Sequence, residues 1–204
     1  RMITVQNFVN GNFVNVKETI EDVNPATGEV IANIPRSKAN DVEAAVLAAE
    51  TARNSWSNLT LDERRGWLEK IANVLESRSE DIANLESLDT GKPIKLARAV
   101  DAARSVANFR FFAEFSKDYT EEKFEMDDAT NHVIFKPVGI AGLITPWNLP
   151  LYLLSWKIAP AIVMGNTVVA KPSELTPLTA NLLAEVIHEV GLPAGVVNIV
   201  HGLG

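Results

Sequence analysis

The chain has 204 residues, a net charge of −7, 47% apolar and 22% charged residues, and no cysteine. That length supports one sizeable core, and the acidic balance argues against nucleic-acid or anionic-membrane partners, whose phosphates call for clustered Lys and Arg. The lack of cysteine excludes disulfides, Cys-based zinc sites and a thiolate nucleophile within these residues.

Near the N-terminus, Phe8-Val9-Asn10-Gly11-Asn12-Phe13-Val14 predicts a hairpin, because Asn-Gly between apolar residues suits a turn with positive φ at both positions. A second turn is expected at Asn24-Pro25-Ala26-Thr27-Gly28, and Val30 to Ile34 reads as a short strand. Val42, Ala45, Val46, Ala49 and Ala52 have helical spacing and predict a helix from Asn40 to Trp56. Thr60-Leu61-Asp62-Glu63 is a capping box opening a second helix through Trp67, Leu68, Ile71, Val74 and Leu75. Ser79 is a candidate cap for a third, carrying Ile82, Leu85 and Leu88 and stopping at Gly91. Pro93, placed at a first helical position, opens a longer helix through Val100, Ala103, Ala107 and Phe111.

From Tyr119 to Pro137 apolar and charged residues alternate around a turn-like Asp127 to Asn131, which predicts a polar hairpin on the outside of the domain. It is either simply solvated or joined to a neighbouring subunit, since isolated two-stranded hairpins are marginal. After it come an apolar strand (138–145), an apolar helix (150–164) and a β-branched strand (167–170). A further helix follows, capped by Thr176, with Pro177 at its first position and its end at Gly191; another strand runs over 196–200. This order implies a Rossmann-like parallel sheet with helices on both faces, joined by right-handed crossovers. The Leu149–Met164 stretch is shorter than the roughly 20 residues of a membrane span, and Pro150, Lys157 and Pro160 interrupt it. No secretory signal is read at the N-terminus, so a cytoplasmic location is expected.

Ligands of such sheets bind beyond the carboxyl ends of the strands. There the sequence has Thr145-Pro146-Trp147-Asn148-Leu149-Pro150, then Lys171-Pro172-Ser173-Glu174, then His201-Gly202-Leu203-Gly204. Asn148 either bonds its own backbone in a rigid turn or aims its amide at a developing oxyanion. Lys171 and Glu174 form either a solvated ion pair or a ribose-recognition couple, in which the carboxylate would also repel a 2′-phosphate and favour NAD over NADP. The terminal Gly-x-Gly is a weak signal on its own.

These segments together resemble the aldehyde dehydrogenase superfamily. The matching stretches are Asn24 to Glu29, Thr145 to Asn148, Trp156-Lys157, Gly165 to Glu174 and Leu192 to Asn198, in order along the whole chain. The resemblance implies that Asn148 is an oxyanion-hole asparagine and Lys157 a proton-relay lysine, although Lys157 could also only reach a carbonyl or snorkel outward. It implies NAD as cofactor, with Lys171 and Glu174 at the adenosine ribose, and Ile144 and Trp147 in the cofactor groove. Thr145, Ser173 and Gly204 complete the expected cofactor contacts. Leu153 and Trp156 match walls of a substrate tunnel, or are ordinary core residues. The division implied is 1–118 as the N-terminal part of the cofactor domain, 119–137 as an oligomerisation hairpin of a homo-oligomer, and 138–204 as the first βαβαβ of the NAD-binding sheet.

The resemblance also implies a nucleophilic Cys and a general-base Glu in a later, catalytic domain, so this chain by itself is expected to be inactive. The runs Gly142 to Ala161 and Arg104 to Ala113 are most similar to 2-aminomuconic and 2-hydroxymuconic semialdehyde dehydrogenases, whose small-molecule aldehyde substrates carry a carboxylate. Arg104 is the candidate to hold that carboxylate in bidentate fashion; the alternative is an ion pair with Asp101. Betaine-aldehyde-type and broad-specificity enzymes are other possibilities, and a naturally short nucleotide-binding or oligomerisation module is the competing class. His132, His188 and His201 lack metal-ligand spacing and are expected to be surface or hydrogen-bonded residues.

Overall fold

The computed structural model describes residues 2–119 and 121–204. In chain order it contains β1 (Ile3–Thr4), β2 (Asn7–Val9), β3 (Asn12–Val14), β4 (Thr19–Val23), β5 (Val30–Pro35), α1 (Ala39–Ser57), α2 (Leu61–Ser77) and α3 (Ser79–Thr90). The single turn α4 (Ile94–Leu96) passes through a wide π turn (Ala97–Ala102) into α5 (Ala103–Phe115). The hairpin β6 (Glu122–Glu125) and β7 (Thr130–Val133) precedes β8 (Ile140–Ile144), α6 (Pro150–Val163), β9 (Thr167–Lys171), α7 (Leu178–Glu189) and β10 (Val197–Ile199).

The main sheet has the order β3-β2-β10-β9-β8. Strands β8, β9 and β10 are parallel, as the sequence implies. The sheet is nevertheless mixed, because the N-terminal hairpin adds β2 antiparallel to β10 through Phe8 and Ile199, with β3 outside it. β2 and β3, from the N-terminal part, therefore share one sheet with β8, β9 and β10. The hairpin turn forms as expected, with Asn10 and Gly11 at φ 52° and 75°. A second sheet, β1-β5-β4, stands apart, its core made of Val5, Ala32, Ile34 and Leu178.

Side chains alternate across a strand, and β9 is covered on both sides. Thr167 donates its hydroxyl to the Ala49 carbonyl of α1, while Val168 and Ala170, of opposite parity, are fully buried. Right-handed crossovers in one direction carry α6 and α7 to the same face. On the α1 side, the backbone before β10 approaches so closely that a Cβ on Gly195 would lie 2.4 Å from the Ala48 carbonyl oxygen. Trp56, fully buried, ties α1 to the end of α6 by donating to the Ile162 carbonyl at 2.9 Å.

Several local expectations need correction. Val42 and Val46 are exposed; Ala45, Ala48, Ala49, Ala52 and Trp56 form the inner face of α1 instead. Ser79 does not cap α3, because its hydroxyl turns back to the Glu76 carbonyl of α2. Thr176 does not cap α7; the Leu178 N–H donates to Asp89 instead, at 2.9 Å. Pro93 is the N-cap, one residue before the helical position expected for it. The Thr60–Glu63 capping box forms reciprocally, with Thr60 N–H to Glu63 at 2.7 Å and Glu63 N–H to Thr60 at 3.2 Å. Hairpin β6–β7 is exposed at every residue; the Tyr119 and Phe135 rings meet at its base, 5.0 Å apart.

Candidate functional site

The tips of β8 and β9 lie side by side. Ile144 is in register with Lys171, the Thr145 N–H donates to the Lys171 carbonyl, and the Thr176 hydroxyl reaches the Trp147 carbonyl at 3.4 Å. The two loops that follow these strands are thereby strapped together. On the first, Asn148 is exposed. Its backbone carbonyl accepts from the Lys92 ammonium at 3.3 Å, while its side-chain amide bonds no described residue, so the turn is not held by Asn148 bonding its own backbone. Lys157, exposed on α6, donates to the Ile144 carbonyl, which anchors the helix to the strand tip.

On the second loop the Lys171 ammonium lies 3.4 Å from Glu174 Oε2 and 2.9 Å from the Pro172 carbonyl, both side chains half-buried. Ser173 is buried and its hydroxyl accepts from the Leu175 N–H at 3.2 Å, which fixes the turn presenting Glu174. Thr145 is also buried, and its hydroxyl has no partner among the described residues. Ile144 is 70% exposed, and Trp147, Leu175 and Leu203 are exposed too, so the carboxyl edge of the sheet is an open apolar rim around polar groups. Gly204 stands exposed beyond β10.

The α5–α6 side holds a second cluster. Arg104, Asn108, Phe111, Phe112, Tyr152 and Trp156 line a hollow of about 320 Å³. Tyr152 and Trp156 stack with ring centres 5.5 Å apart, and the Arg104 guanidinium lies over Tyr152 at 5.8 Å. Leu153, half-buried, sits beside Tyr152 on the same helix. Arg104 does not pair with Asp101: that carboxylate is fully buried and bonded to Lys92 at 2.8 Å. Arg104 makes no ion pair among the described residues and faces the hollow as a free cation.

Sequence reasoning missed a set of buried acids beneath the strand tips. Glu86 of α3 accepts from the Leu151 N–H at 3.1 Å and from the Thr179 hydroxyl at 3.0 Å. Asp89, one turn on, accepts from the Leu178 N–H. Helix N-termini leave N–H groups unpaired and attract negative charge, so α3 supplies caps that α6 and α7 lack in their own sequence. Burial pushes the Glu86 carboxyl up to about 7. Burial, together with the neighbouring Asp22 charge, raises Asp89 as well. The available signal was the i, i+3 spacing of Glu86 and Asp89 beside the buried Ile82 and Ala83. The His201 side chain is likewise neither on the surface nor hydrogen-bonded to a described residue, although its backbone N–H donates to Asn7 Oδ1 at 2.8 Å. It is buried with both ring nitrogens unpartnered among the described residues, and desolvation, with Lys171 nearby, lowers its pKa to about 3. His188 matches expectation, exposed and touching the Gly11 carbonyl.

A Rossmann-like sheet thus carries a polar couple and a free amide on the loops at neighbouring strand tips. The aldehyde dehydrogenase family profile matches residues 13–204, and the chain belongs to that family. It is 48% identical over 205 residues to 2-aminomuconic semialdehyde dehydrogenase of Homo sapiens, covering 100% of this chain and 42% of that protein. It is 45% identical over 211 residues to 2-hydroxymuconic semialdehyde dehydrogenase of Pseudomonas sp. (strain CF600), covering 100% of this chain and 43% of that protein. The NAD+ complex of the aldehyde dehydrogenase from Bacillus cereus superposes with a TM-score of 0.95 at 38% identity, over 99% of this chain and 42% of that one. The chain thus spans about two fifths of the length of the relatives it matches.

Proposed function

We propose that the chain is the nucleotide-binding portion of an NAD-dependent aldehyde dehydrogenase that oxidises a carboxylated semialdehyde to a carboxylic acid. The observation that carries this reading is the strapping of the Asn148 loop to the Lys171–Glu174 loop through Thr145 and Thr176. It sets the loop that carries an unpaired amide donor beside the loop that carries a carboxylate–ammonium couple.

The residues suit NAD. Glu174 keeps an oxygen beyond its contact with Lys171, so the pair can accept from one ribose hydroxyl and donate to the other, while the carboxylate opposes a 2′-phosphate. Ile144 and Trp147 offer apolar surface, and Thr145, Ser173 and Gly204 shape the loops around it. NAD, when bound, supplies the hydride acceptor. Asn148 donates its amide N–H to the substrate oxygen as negative charge develops there. Lys157 donates to the Ile144 carbonyl and is the candidate to pass a proton. Trp156 and Leu153 form the aldehyde channel, and Arg104 holds the substrate carboxylate. The exposed hairpin, with Phe124 and Met126 outward, joins a second subunit in a homo-oligomer. The absence of any long apolar helix among the described residues and the acidic charge favour a cytoplasmic setting.

In a complete dehydrogenase containing this chain, Asn148→Ala should lower kcat by about 10²–10³ with little change in NAD affinity. An unchanged kcat defeats the oxyanion assignment. Since these residues include no cysteine, the 204-residue chain alone should give no aldehyde-dependent NADH; a signal from it would overturn the reading. The competing reading, a short non-catalytic module, is favoured by the same lack of cysteine and is decided by whether the reading frame continues past Gly204 into a Cys-containing domain.

A further inference from the structure

Asn108 sits one helical turn after Arg104 on α5, only 9% exposed, and lines the hollow beneath the Arg104 guanidinium. Its amide nitrogen is held by two hydrogen bonds of 3.0 Å, one to the Tyr152 carbonyl and one to the Ser155 hydroxyl oxygen. The Tyr152 carbonyl can only accept, so the amide cannot be flipped. The Ser155 hydroxyl donates its own proton to that same carbonyl at 2.9 Å, so it too must accept from Asn108. Both amide protons are therefore committed to α6. The remaining atom, Oδ1, accepts from no described residue and is left as an acceptor on a side chain that lines the same hollow as the Arg104 cation.

We infer that Asn108 is a specificity-determining residue that accepts a hydrogen bond from an amino or hydroxyl group on the substrate carbon adjacent to the carboxylate. The inference rests on the proposed carboxylate contact of Arg104. A guanidinium donates and cannot accept; a carbonyl oxygen accepts and cannot donate. A substrate end bearing a carboxylate and a neighbouring N–H or O–H complements both at once. Along α6, Tyr152 and Trp156 stand ~4.5 and ~10 Å beyond the Leu149 cap by helical rise, so a short extended chain reaches from this hollow toward Asn148. An unsubstituted chain would leave Oδ1 desolvated and unpaired, and that penalty is the basis of discrimination.

The test uses a complete dehydrogenase containing this chain and three aldehydes: a carboxylated semialdehyde with a 2-hydroxyl or 2-amino group, the same chain with hydrogen at that carbon, and an aldehyde lacking the carboxylate. The unaltered enzyme should favour the first over the second by about tenfold in kcat/KM. Asn108→Ala should erase that preference by acting on the first substrate alone. Ser155→Ala, which loosens the α5–α6 brace but leaves the acceptor, should retain it. Equal kcat/KM for the first two substrates in the unaltered enzyme, or an equal loss on both in Asn108→Ala, overturns the inference; the former requires no variant to fold. Arg104→Ala should raise KM for both carboxylated aldehydes and leave the third unchanged. If it does not, the carboxylate reading fails, which is distinguishable from failure of Asn108 alone.

Discussion

Glu86 of α3 accepts the backbone N–H of Leu151, 3.1 Å away, at the first turn of α6 and three residues past Asn148. An acid buried in one helix thus fixes the start of another, and with it the loop that presents the proposed oxyanion donor. Glu86→Ala should leave the Leu151 N–H and the Thr179 hydroxyl without an acceptor and open a void. A loss of about 2–4 kcal/mol is expected in chemical denaturation. A loss within experimental scatter would show that water replaces the carboxylate freely.

The same residue makes stability depend on pH in a direction opposite to most carboxylates. Burial raises Glu86 to about 7 from its ordinary 4.5, so the folded protein binds this proton more tightly than the unfolded chain. Its contribution is full below the unfolded value and fades as pH rises through 7, at a slope on the order of 1 kcal/mol per pH unit. Asp89, also raised, adds to the same trend. Glu86→Gln imitates the protonated acid and should flatten the decline between about pH 5 and 7. The check is the urea midpoint of both proteins across that range; parallel curves would assign the trend to other groups.

Lys92 is the cation against the fully buried Asp101, at 2.8 Å. Removing one member of a buried pair strands the other's charge, so Lys92→Met should cost about 3–5 kcal/mol. The double variant Lys92→Met/Asp101→Asn should recover much of that, because no charge is then stranded. A double variant as unstable as the single one would mean that the Lys92 contact with the Asn148 carbonyl, not the ion pair, dominates.

Gly195 sits at φ 83° with the Ala48 carbonyl so near that a Cβ would lie 2.4 Å from it. Gly195→Ala combines left-handed strain of roughly 1–2 kcal/mol with a backbone clash. The turn into β10 must then shift off α1, and a lowered Tm or loss of soluble protein is expected. A Tm equal to that of the parent would mean the contact yields easily.

Much of the fold was legible because its signals are local. The Asn10-Gly11 turn, the Thr60–Glu63 box, the Gly91 stop and the succession from β8 to β10 each follow from residues close in sequence. The strand-tip placement of Asn148, Lys171 and Glu174 follows from that succession. What escaped depends on distant partners. Nothing near Phe8 announces that it will pair with Ile199. Glu86 and Asp89 look like solvated helix charges until the N-termini of α6 and α7 arrive above them. Ser79 and Thr176 have the right chemistry for caps, but other acceptors and donors outcompete them. Spacing left Arg104 open to either a ligand carboxylate or Asp101, and a lysine nine residues before that acid pairs with it instead.

The antiparallel seam between β2 and β10 joins residues 7–9 to residues 197–199. A ribosome must therefore release nearly all of this stretch before the first hairpin finds its neighbour. Until then its inner strand presents an unsatisfied edge, an invitation to intermolecular pairing. Vectorial synthesis thus delays completion of the sheet, and chains interrupted just short of β10 should aggregate or lean on chaperones, a cost of stitching Phe8 to a strand almost two hundred residues downstream.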